Sequence, residues 1–250
     1  MSSTASPRDA LRLLYGAYAL STLGLLLVLA AALALLLPRL AWRRAATCGL
    51  ARLWLRIVGL PLTVLGLEQL PEGSCVLVAN HGSYLDGVVM KAALPPRFSF
   101  VVKREAASMP VVGLLLARIG TEFVDRASSG GRLRAAKRVM RRAEAGHSLV
   151  FFPEGTFDDV VGLKRFHIGA FVAAARGAMP LVPAVIHGAR RALPGGALIP
   201  RPGPISIEVL APLAMAECGG SPEGLREEAR RRMLAHLEEP DLAPSVAAAR

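Results

Sequence analysis

The most informative part of this chain is Cys75-Val76-Leu77-Val78-Ala79, followed at once by Asn80-His81-Gly82-Ser83-Tyr84-Leu85-Asp86. An unbroken apolar run of this length predicts a buried strand. The polar residues after it then lie at the strand's C-terminal end, where open α/β sheets place their ligand sites. The carboxylate of Asp86 can hydrogen-bond one ring nitrogen of His81 and leave the other free to take a proton. The stretch therefore predicts a proton-accepting pair at the edge of a sheet.

Further apolar runs alternate with helical segments from residue 70 onward. Strands are predicted at 75–79, 98–102, 121–124, 149–152, 181–186 and 205–210. Helices are predicted at 86–94, 111–119, 132–145 and 168–176, and a last helix begins after the capping residue Ser221. This alternation predicts an α/β fold with a mostly parallel sheet flanked by helices.

The N-terminal part of the chain is the most apolar. Residues 13–38 contain no charged side chain, and about 20 helical residues cross the ~30 Å hydrocarbon core of a bilayer. A cleaved signal peptide would have a shorter apolar core and a small-residue cleavage site behind it. Here Arg39, Arg43 and Arg44 follow instead, which favours a cytoplasmic position for what comes next. We predict a spanning anchor at the inner membrane with the globular domain facing the cytosol.

A second apolar stretch, residues 49–67, is interrupted by Arg52 and Arg56 at helical spacing. Arginines on one face suit an interfacial or re-entrant helix with its guanidinium groups at headgroup depth. The alternative is a second spanning helix, in which two arginines would be costly. We therefore divide the chain into a membrane anchor at 1–67, an α/β domain at 68–240 and a mobile tail at 241–250.

Composition limits the partners of the protein. Its 250 residues carry a net charge of +11, 53% are hydrophobic and only 5% are aromatic. Because the positive charge accompanies a membrane anchor, anionic membrane lipids are the expected partner rather than nucleic acid. The three cysteines, at positions 48, 75 and 218, lie far apart and predict neither a disulfide framework nor a metal site.

Four blocks of the sequence resemble the 1-acylglycerol-3-phosphate acyltransferase family of glycerolipid acyltransferases. They begin at Asn80, Gly120, Phe152 and Leu181 and keep the family's order within residues 75–190. A single His-x-x-x-x-Asp pair is a weak signal, whereas four blocks in order are specific. The resemblance implies transfer of an acyl group to the free hydroxyl of a lysophosphatidate-like lipid. Acyl-CoA or an acyl-carrier protein would be the co-substrate, with no cofactor.

The resemblance also implies roles for individual residues. His81 would be the general base, Asp86 its orienting partner, and Arg126 the ligand of the acceptor phosphate. The other residues that the resemblance or their strand-end positions assign to substrate binding are Asn80, Ser83, Lys103, Gly120, Glu154, Gly155, Thr156, Lys164 and Pro183. A covalent route through Ser83 stays open, as does a salt bridge of Arg126 with Asp125 or Glu122.

The sequence departs from the family at Phe157, where many relatives have arginine. A cation that could help to bind phosphate is missing, so a lyso-aminolipid acceptor such as lyso-ornithine lipid remains an alternative. From another class, a membrane-bound esterase could use His81 and Asp86 to activate water, although no Gly-x-Ser-x-Gly motif supports a serine hydrolase. The helix predicted at 132–145 carries six cations, which form either a solvated face or a docking surface for anionic lipid or an acidic acyl carrier.

Overall fold

A central sheet organises the computed structural model, which describes residues 7–124 and 129–243. Its strands are β1 Leu62–Leu65, β2 Val76–Ala79, β3 Ser99–Lys103, β4 Glu122–Val124, β5 Leu149–Phe151, β6 Leu181–His187 and β7 Ile205–Val209. They lie in the order β1-β7-β6-β2-β5-β3-β4. Neighbouring strands are parallel except for β6 and β7, which are antiparallel. The predicted α/β fold with a mostly parallel sheet is confirmed.

Helices cover both faces of the sheet. They are α1 Pro7–Leu36, α2 Leu40–Ile57, α3 Asp86–Ala93, α4 Val112–Arg118, α5 Ser129–Glu144, α6 Gly169–Arg176, α7 Ala189–Ala192 and α8 Pro222–His236. Successive side chains of a strand point to opposite faces. On β2, Leu77 and Ala79 pack into a core shared with α1, α2 and α3, while Val76 and Val78 pack into a core shared with α5, α6 and α8. The central strand is therefore buried on both sides, as its unbroken apolar sequence predicts.

The second predicted membrane segment, 49–67, differs from the structure. Helix α2 ends at Ile57, Gly59 adopts a left-handed φ of 71°, and Leu62–Leu65 forms edge strand β1, which pairs with β7. Pro61 cannot continue the helix because it lacks a backbone N–H. Gly66 then lets the chain turn close to β7, where a Cβ atom would lie 2.2 Å from the carbonyl oxygen of Val209. The sheet therefore begins before residue 68, and the predicted boundary at 67 is too late.

The predicted mobile tail also begins too early. Asp241 forms an ion pair with Arg230, and the backbone N–H of Leu242 donates to the carbonyl oxygen of Leu163 at 3.0 Å. Residues 241–243 are thus attached to the body of the domain, and residues 244–250 lie outside the described part of the chain.

Helix α1 runs along the domain rather than away from it. The hydroxyl of Tyr15 donates to the carbonyl oxygen of Val58 at 2.7 Å, and Nε of Arg118 donates to that of Ala34 at 3.2 Å. The contacts thus extend over about 28 Å of helix at 1.5 Å per residue. The opposite face of α1 exposes large apolar side chains, among them Leu11, Leu14, Leu25, Val28 and Leu36. Within the described residues, α1 is the one helix that is long and apolar enough to cross a membrane.

Candidate active site

His81 and Asp86 meet at the C-terminal end of β2, as the sequence predicts. Nδ1 of His81 lies 2.9 Å from Oδ2 of Asp86. The same oxygen accepts the backbone N–H groups of Gly82 at 2.7 Å and Ser83 at 2.8 Å. Asp86 is almost fully buried at the start of α3, so three hydrogen bonds and the helix fix its carboxylate. Because Nδ1 is held by this carboxylate, Nε2 is the ring nitrogen left to accept a proton.

Aromatic rings enclose the imidazole. Phe152 stacks on His81 with ring centroids 4.4 Å apart, and Phe157 meets it edge-on at 4.5 Å. Tyr84 in turn contacts Phe157 edge-on at 4.7 Å. Phe157, the residue that departs from the family pattern, is therefore part of the wall around the base. These contacts restrict the imidazole to one orientation.

The carboxylate of Glu154 links the turn that carries His81 to the segment that carries Lys164. Its Oε1 accepts the backbone N–H of His81 at 2.7 Å, and its Oε2 accepts that of Lys164 at 2.9 Å. Burial raises the pKa of Glu154 to about 7, although the two N–H groups and the charges of Arg190 and Lys164 oppose that shift. The sequence predicts a substrate-binding role for Glu154. Its oxygens are occupied by backbone amides, so it holds the His81 backbone in place.

Two polar residues of the first block, Asn80 and Ser83, make hydrogen bonds that hold the fold together. The side chain of Asn80 donates to the carbonyl oxygen of Ile186 at 3.0 Å and accepts its N–H at 2.7 Å, which ties β2 to β6. The hydroxyl of Ser83 has no exposed surface and donates to the carbonyl oxygen of Leu193 at 2.7 Å. A buried hydroxyl that donates away from His81 is a poor nucleophile, so this geometry argues against the covalent route through Ser83.

The residues after Glu154 form the outer rim of the site. Gly155 has φ of 79°, and its N–H closes a turn by donating to the carbonyl oxygen of Phe152 at 3.0 Å. Thr156 is exposed at this turn. The ammonium group of Lys164 pairs with Asp158, so its backbone, not its charge, reaches Glu154.

Three further predicted site residues, Lys103, Gly120 and Pro183, lie on or next to other strands of the sheet. Lys103 is exposed at the C-terminal end of β3, at the same edge of the sheet but two strands away. Gly120 precedes β4 at the opposite end, where a Cβ atom would meet the guanidinium of Arg44 at 2.9 Å. Pro183 is buried inside β6 opposite Val78. The surroundings of Gly120 and Pro183 are those of packing residues, and neither is brought to the His81–Asp86 pair.

Arg126, the predicted phosphate ligand, lies outside the described residues. Its suggested partner Glu122 is occupied, because Oε1 accepts Nε of Arg142 at 2.8 Å.

Arg190 is a site residue that sequence reasoning missed. Its guanidinium covers Gly82, where a Cβ atom would come within 2.9 Å of it. It pairs with Glu239 at 3.2 Å and donates to the carbonyl oxygens of Asp158 and Val160 at 3.2 and 3.1 Å. Arg190 thus fastens the loop after Phe157 to the turn that holds His81. The one available signal was its position just beyond the C-terminal end of β6.

An apolar cavity of 310 Å³ adjoins the imidazole. Tyr84 and Phe152 line it beside His81, and α1, α2, α3, α4 and β3 form its other walls. Lys91 is the charged residue in this lining, and burial lowers the pKa of its ammonium group, which lies 5.6 Å from the ring of Phe100. A proton-accepting imidazole beside such a cavity can activate a hydroxyl group next to a fatty chain.

The fold and this site define the α/β acyltransferase class. The chain belongs to the Acyltransferase family, whose sequence model matches residues 61–187, a little over half of its length. It is 33% identical over 59% of its length to a chloroplastic 1-acyl-sn-glycerol-3-phosphate acyltransferase of Brassica napus, and spans 44% of that protein. It is 31% identical over 58% of its length to a lyso-ornithine lipid O-acyltransferase of Pseudomonas aeruginosa, and spans 56% of that protein.

Structural comparison supports the same fold. The crystal structure of the 1-acyl-sn-glycerophosphate acyltransferase PlsC from Thermotoga maritima superposes with a TM-score of 0.77. The match covers 92% of this chain and 95% of the other, with 19% sequence identity.

Proposed function

We propose that this protein transfers a fatty acyl group from a thioester to the free hydroxyl of a lysophosphatidate, giving phosphatidate. One observation carries the proposal: the His81–Asp86 pair lies beside an apolar cavity, since Phe152 stacks on His81 and lines that cavity together with helices α1 and α2. The cavity provides a place for one fatty chain, and the imidazole provides the base for the acceptor hydroxyl. Acyl-CoA and an acyl-carrier protein remain the two candidate donors.

In the proposed reaction, Nε2 of His81 takes the proton of the acceptor hydroxyl as its oxygen attacks the thioester carbonyl carbon. The tetrahedral intermediate then collapses, the C–S bond breaks, and the imidazolium returns the proton to the leaving sulfur. Asp86 orients the ring and stabilises its positive charge during this cycle. No acyl-enzyme forms, which agrees with the buried, hydrogen-bonded state of Ser83.

We further propose that α1 lies within one leaflet instead of spanning the membrane. Its contacts with the domain extend from Tyr15 to Ala34. If α1 crossed the bilayer, the polar parts of the domain that pack along it would also have to enter the hydrocarbon core. The exposed apolar side chains of α1 continue onto Leu40, Trp42 and Leu53 of α2. This surface supports attachment of the protein to one leaflet, and the arginines that follow α1 favour the cytosolic leaflet.

Labelling distinguishes the two membrane arrangements. In a variant without Cys48, Cys75 and Cys218, we expect cysteines placed at Arg12 and at Glu223 to be protected from an impermeant thiol reagent in intact cells. Both should react once the cells are opened. Glu223 reports the catalytic domain, so it serves as the internal control. Labelling of the cysteine at position 12 alone in intact cells would contradict the leaflet arrangement and restore the spanning helix.

The acceptor headgroup is tested through Arg126. An arginine–phosphate contact contributes about 1.5–3 kcal/mol. We therefore expect Arg126→Ala to lower kcat/KM for lysophosphatidate by about ten- to a hundredfold. Lyso-ornithine lipid, which has no phosphate, should lose much less. The readout is the acylated lipid formed from each acceptor, with Arg231→Ala, an exposed arginine on α8, as the control.

A lyso-aminolipid acceptor is the second candidate, because Phe157 packs on His81 where many relatives have arginine. Preference of the unaltered protein for lyso-ornithine lipid would decide in its favour. Equal losses of kcat/KM for both acceptors would show that Arg126 has a structural role and does not bind the acceptor phosphate. Release of free fatty acid without any acylated lipid would identify an esterase.

A further inference from the structure

Helix α5 presents a basic face that the proposed chemistry does not use. Arg134, Lys137 and Arg141 are exposed along one line of the helix, and within the described residues none of them pairs with an acidic side chain. Their neighbours Arg138 and Arg142 are engaged with the carbonyl oxygen of Phe123 and with Glu122. The free cations are thus distinct from those that hold α5 to the sheet.

An apolar line accompanies the three cations. Leu133 is 58% exposed, Ala136 is exposed, and Met140 is half-buried. Val139 and Ala143 belong to the core beneath α5 and Met140 packs against it, whereas Leu133 and Ala136 are exposed apolar side chains. We call Leu133, Arg134, Ala136, Lys137, Met140 and Arg141 together the basic α5 face.

A groove runs from this face to Phe152, the ring that stacks on the base. The groove, of 360 Å³, lies between α5, α6 and the ends of β3, β4 and β5, and Ala136 and Met140 belong to its lining. Its other end reaches Phe152 and Pro153. Phe152 is the ring that stacks on His81. The groove therefore extends from the exposed surface of α5 to Phe152, one side chain away from His81, and Phe152 also lines the 310 Å³ cavity.

The basic α5 face points away from the helices proposed to contact the membrane. Helices α1 and α5 cover opposite faces of the sheet, since Leu77 of β2 packs into the core shared with α1 and Val78 into the core shared with α5. A partner at α5 would therefore arrive from water. The three cations span seven residues, about 10 Å of helix, and alternate with apolar side chains. Three cations spread over this length form an extended positive surface, which is complementary to an extended acidic surface on a protein partner.

We infer that the basic α5 face is the docking site of an acidic acyl carrier protein, and that the carrier's thioester-bearing arm runs through the groove to His81. The inference rests on the proposed function and adds the donor to it. The lipid acceptor and the donor would then approach the base from opposite faces of the sheet, with Phe152 between them. The positive charge on α5 would speed and orient the association with the carrier, and the groove would position the thioester carbonyl.

The test compares two donors with the same chain, palmitoyl-acyl carrier protein and palmitoyl-CoA, on the full-length protein. In the variant Arg134→Gln/Lys137→Gln/Arg141→Gln, the KM for the carrier-protein donor should rise at least about tenfold. The KM for palmitoyl-CoA should change less than about threefold, because the arm but not the carrier surface is shared. Added salt should raise the carrier-protein KM of the unaltered protein and have little effect on the variant.

Two controls accompany the triple variant. Arg134→Lys/Arg141→Lys keeps the charges and should keep the low KM, and Arg231→Gln removes an exposed charge on α8 without effect. The groove is tested separately by Ala136→Trp, which should lower kcat/KM for both donors because both carry the same arm.

Several outcomes would overturn the inference. These are an unchanged carrier-protein KM in the triple variant, an equal rise for both donors, or use of palmitoyl-CoA alone by the unaltered protein. Loss of binding to phosphatidylglycerol vesicles with an unchanged carrier-protein KM would assign the face to the membrane. Absence of acyl transfer from either donor would instead overturn the proposed function itself, and the docking inference with it.

Discussion

Replacement of His81 by alanine is expected to lower the turnover number by about two to four orders of magnitude, the usual scale for loss of a general base. The reason is geometric: Nδ1 is held by Asp86 at 2.9 Å, so Nε2 is the nitrogen that can take the hydroxyl proton. The side chain of His81 is 19% exposed, so its removal leaves a partly enclosed cavity beside Phe152 and Phe157, and folding has to be checked. The measurement is acyl transfer by purified protein, with circular dichroism to confirm folding.

Two neighbouring variants make the His81 experiment specific. Asp86→Asn should lose a similar or smaller factor, because an amide oxygen can still accept the N–H groups of Gly82 and Ser83 but cannot stabilise the imidazolium. Ser83→Ala should retain turnover within about fivefold while losing about 1 kcal/mol of stability for its buried hydrogen bond. Near-normal turnover by folded His81→Ala would contradict the mechanism, and loss in Ser83→Ala alone would revive the covalent route.

The interior of the fold was predictable from sequence because its central strands β2 and β6 are buried on both faces. All four residues of β2 are buried, so the strand appears as a continuous apolar run between polar segments. The predicted bounds of β2 to β7 agree with the structure to within one residue. The start of α8 was also predictable from its capping residue, since the hydroxyl of Ser221 accepts the backbone N–H of Gly224.

Edge strand β1 was not predictable in the same way. It has four residues, alternates between half-buried and exposed positions, and follows an apolar helix with only a short break. Its apolar residues therefore read as a continuation of the membrane segment. What places Leu62–Leu65 in the sheet is its pairing with β7, about 140 residues later, and no local pattern encodes that contact.

In the candidate site, sequence predicted the residue types better than their partners. The His81–Asp86 contact spans five residues of one turn, so spacing alone suggested it. Glu154 and Arg190 act on that turn from more than 70 and 100 residues away. Their contacts depend on β5 and β6 lying on either side of β2. Sheet order therefore decides which motif residues hold the backbone of the His81 turn.

The second large effect is expected for Glu154→Gln. A glutamine has one acceptor oxygen, so it can keep only one of the two backbone N–H bonds from His81 and Lys164. The other N–H is left buried without an acceptor, at a cost of about 1–3 kcal/mol. Because the freed amide is that of the base or its neighbouring loop, a displacement of the imidazole by about 1 Å would lower turnover by about a hundredfold. Glu68→Gln, an exposed glutamate far from the site, is the matched control.

Glu154 also predicts how stability and activity depend on pH. Burial raises its pKa from 4.5 to about 7 in the folded protein, so the unfolded chain ionises first as pH rises. The contribution of Glu154 to the free energy of unfolding is thus fully present below pH 4.5 and is lost by about pH 7. Activity should change in the opposite direction, because only the ionised carboxylate accepts both N–H groups. Denaturant midpoints and kcat/KM of the unaltered protein and Glu154→Gln, measured across pH 5 to 8, check both slopes. Identical pH profiles for the two proteins would show that Glu154 does not titrate in this range, and that its carboxylate holds His81 equally well at every pH.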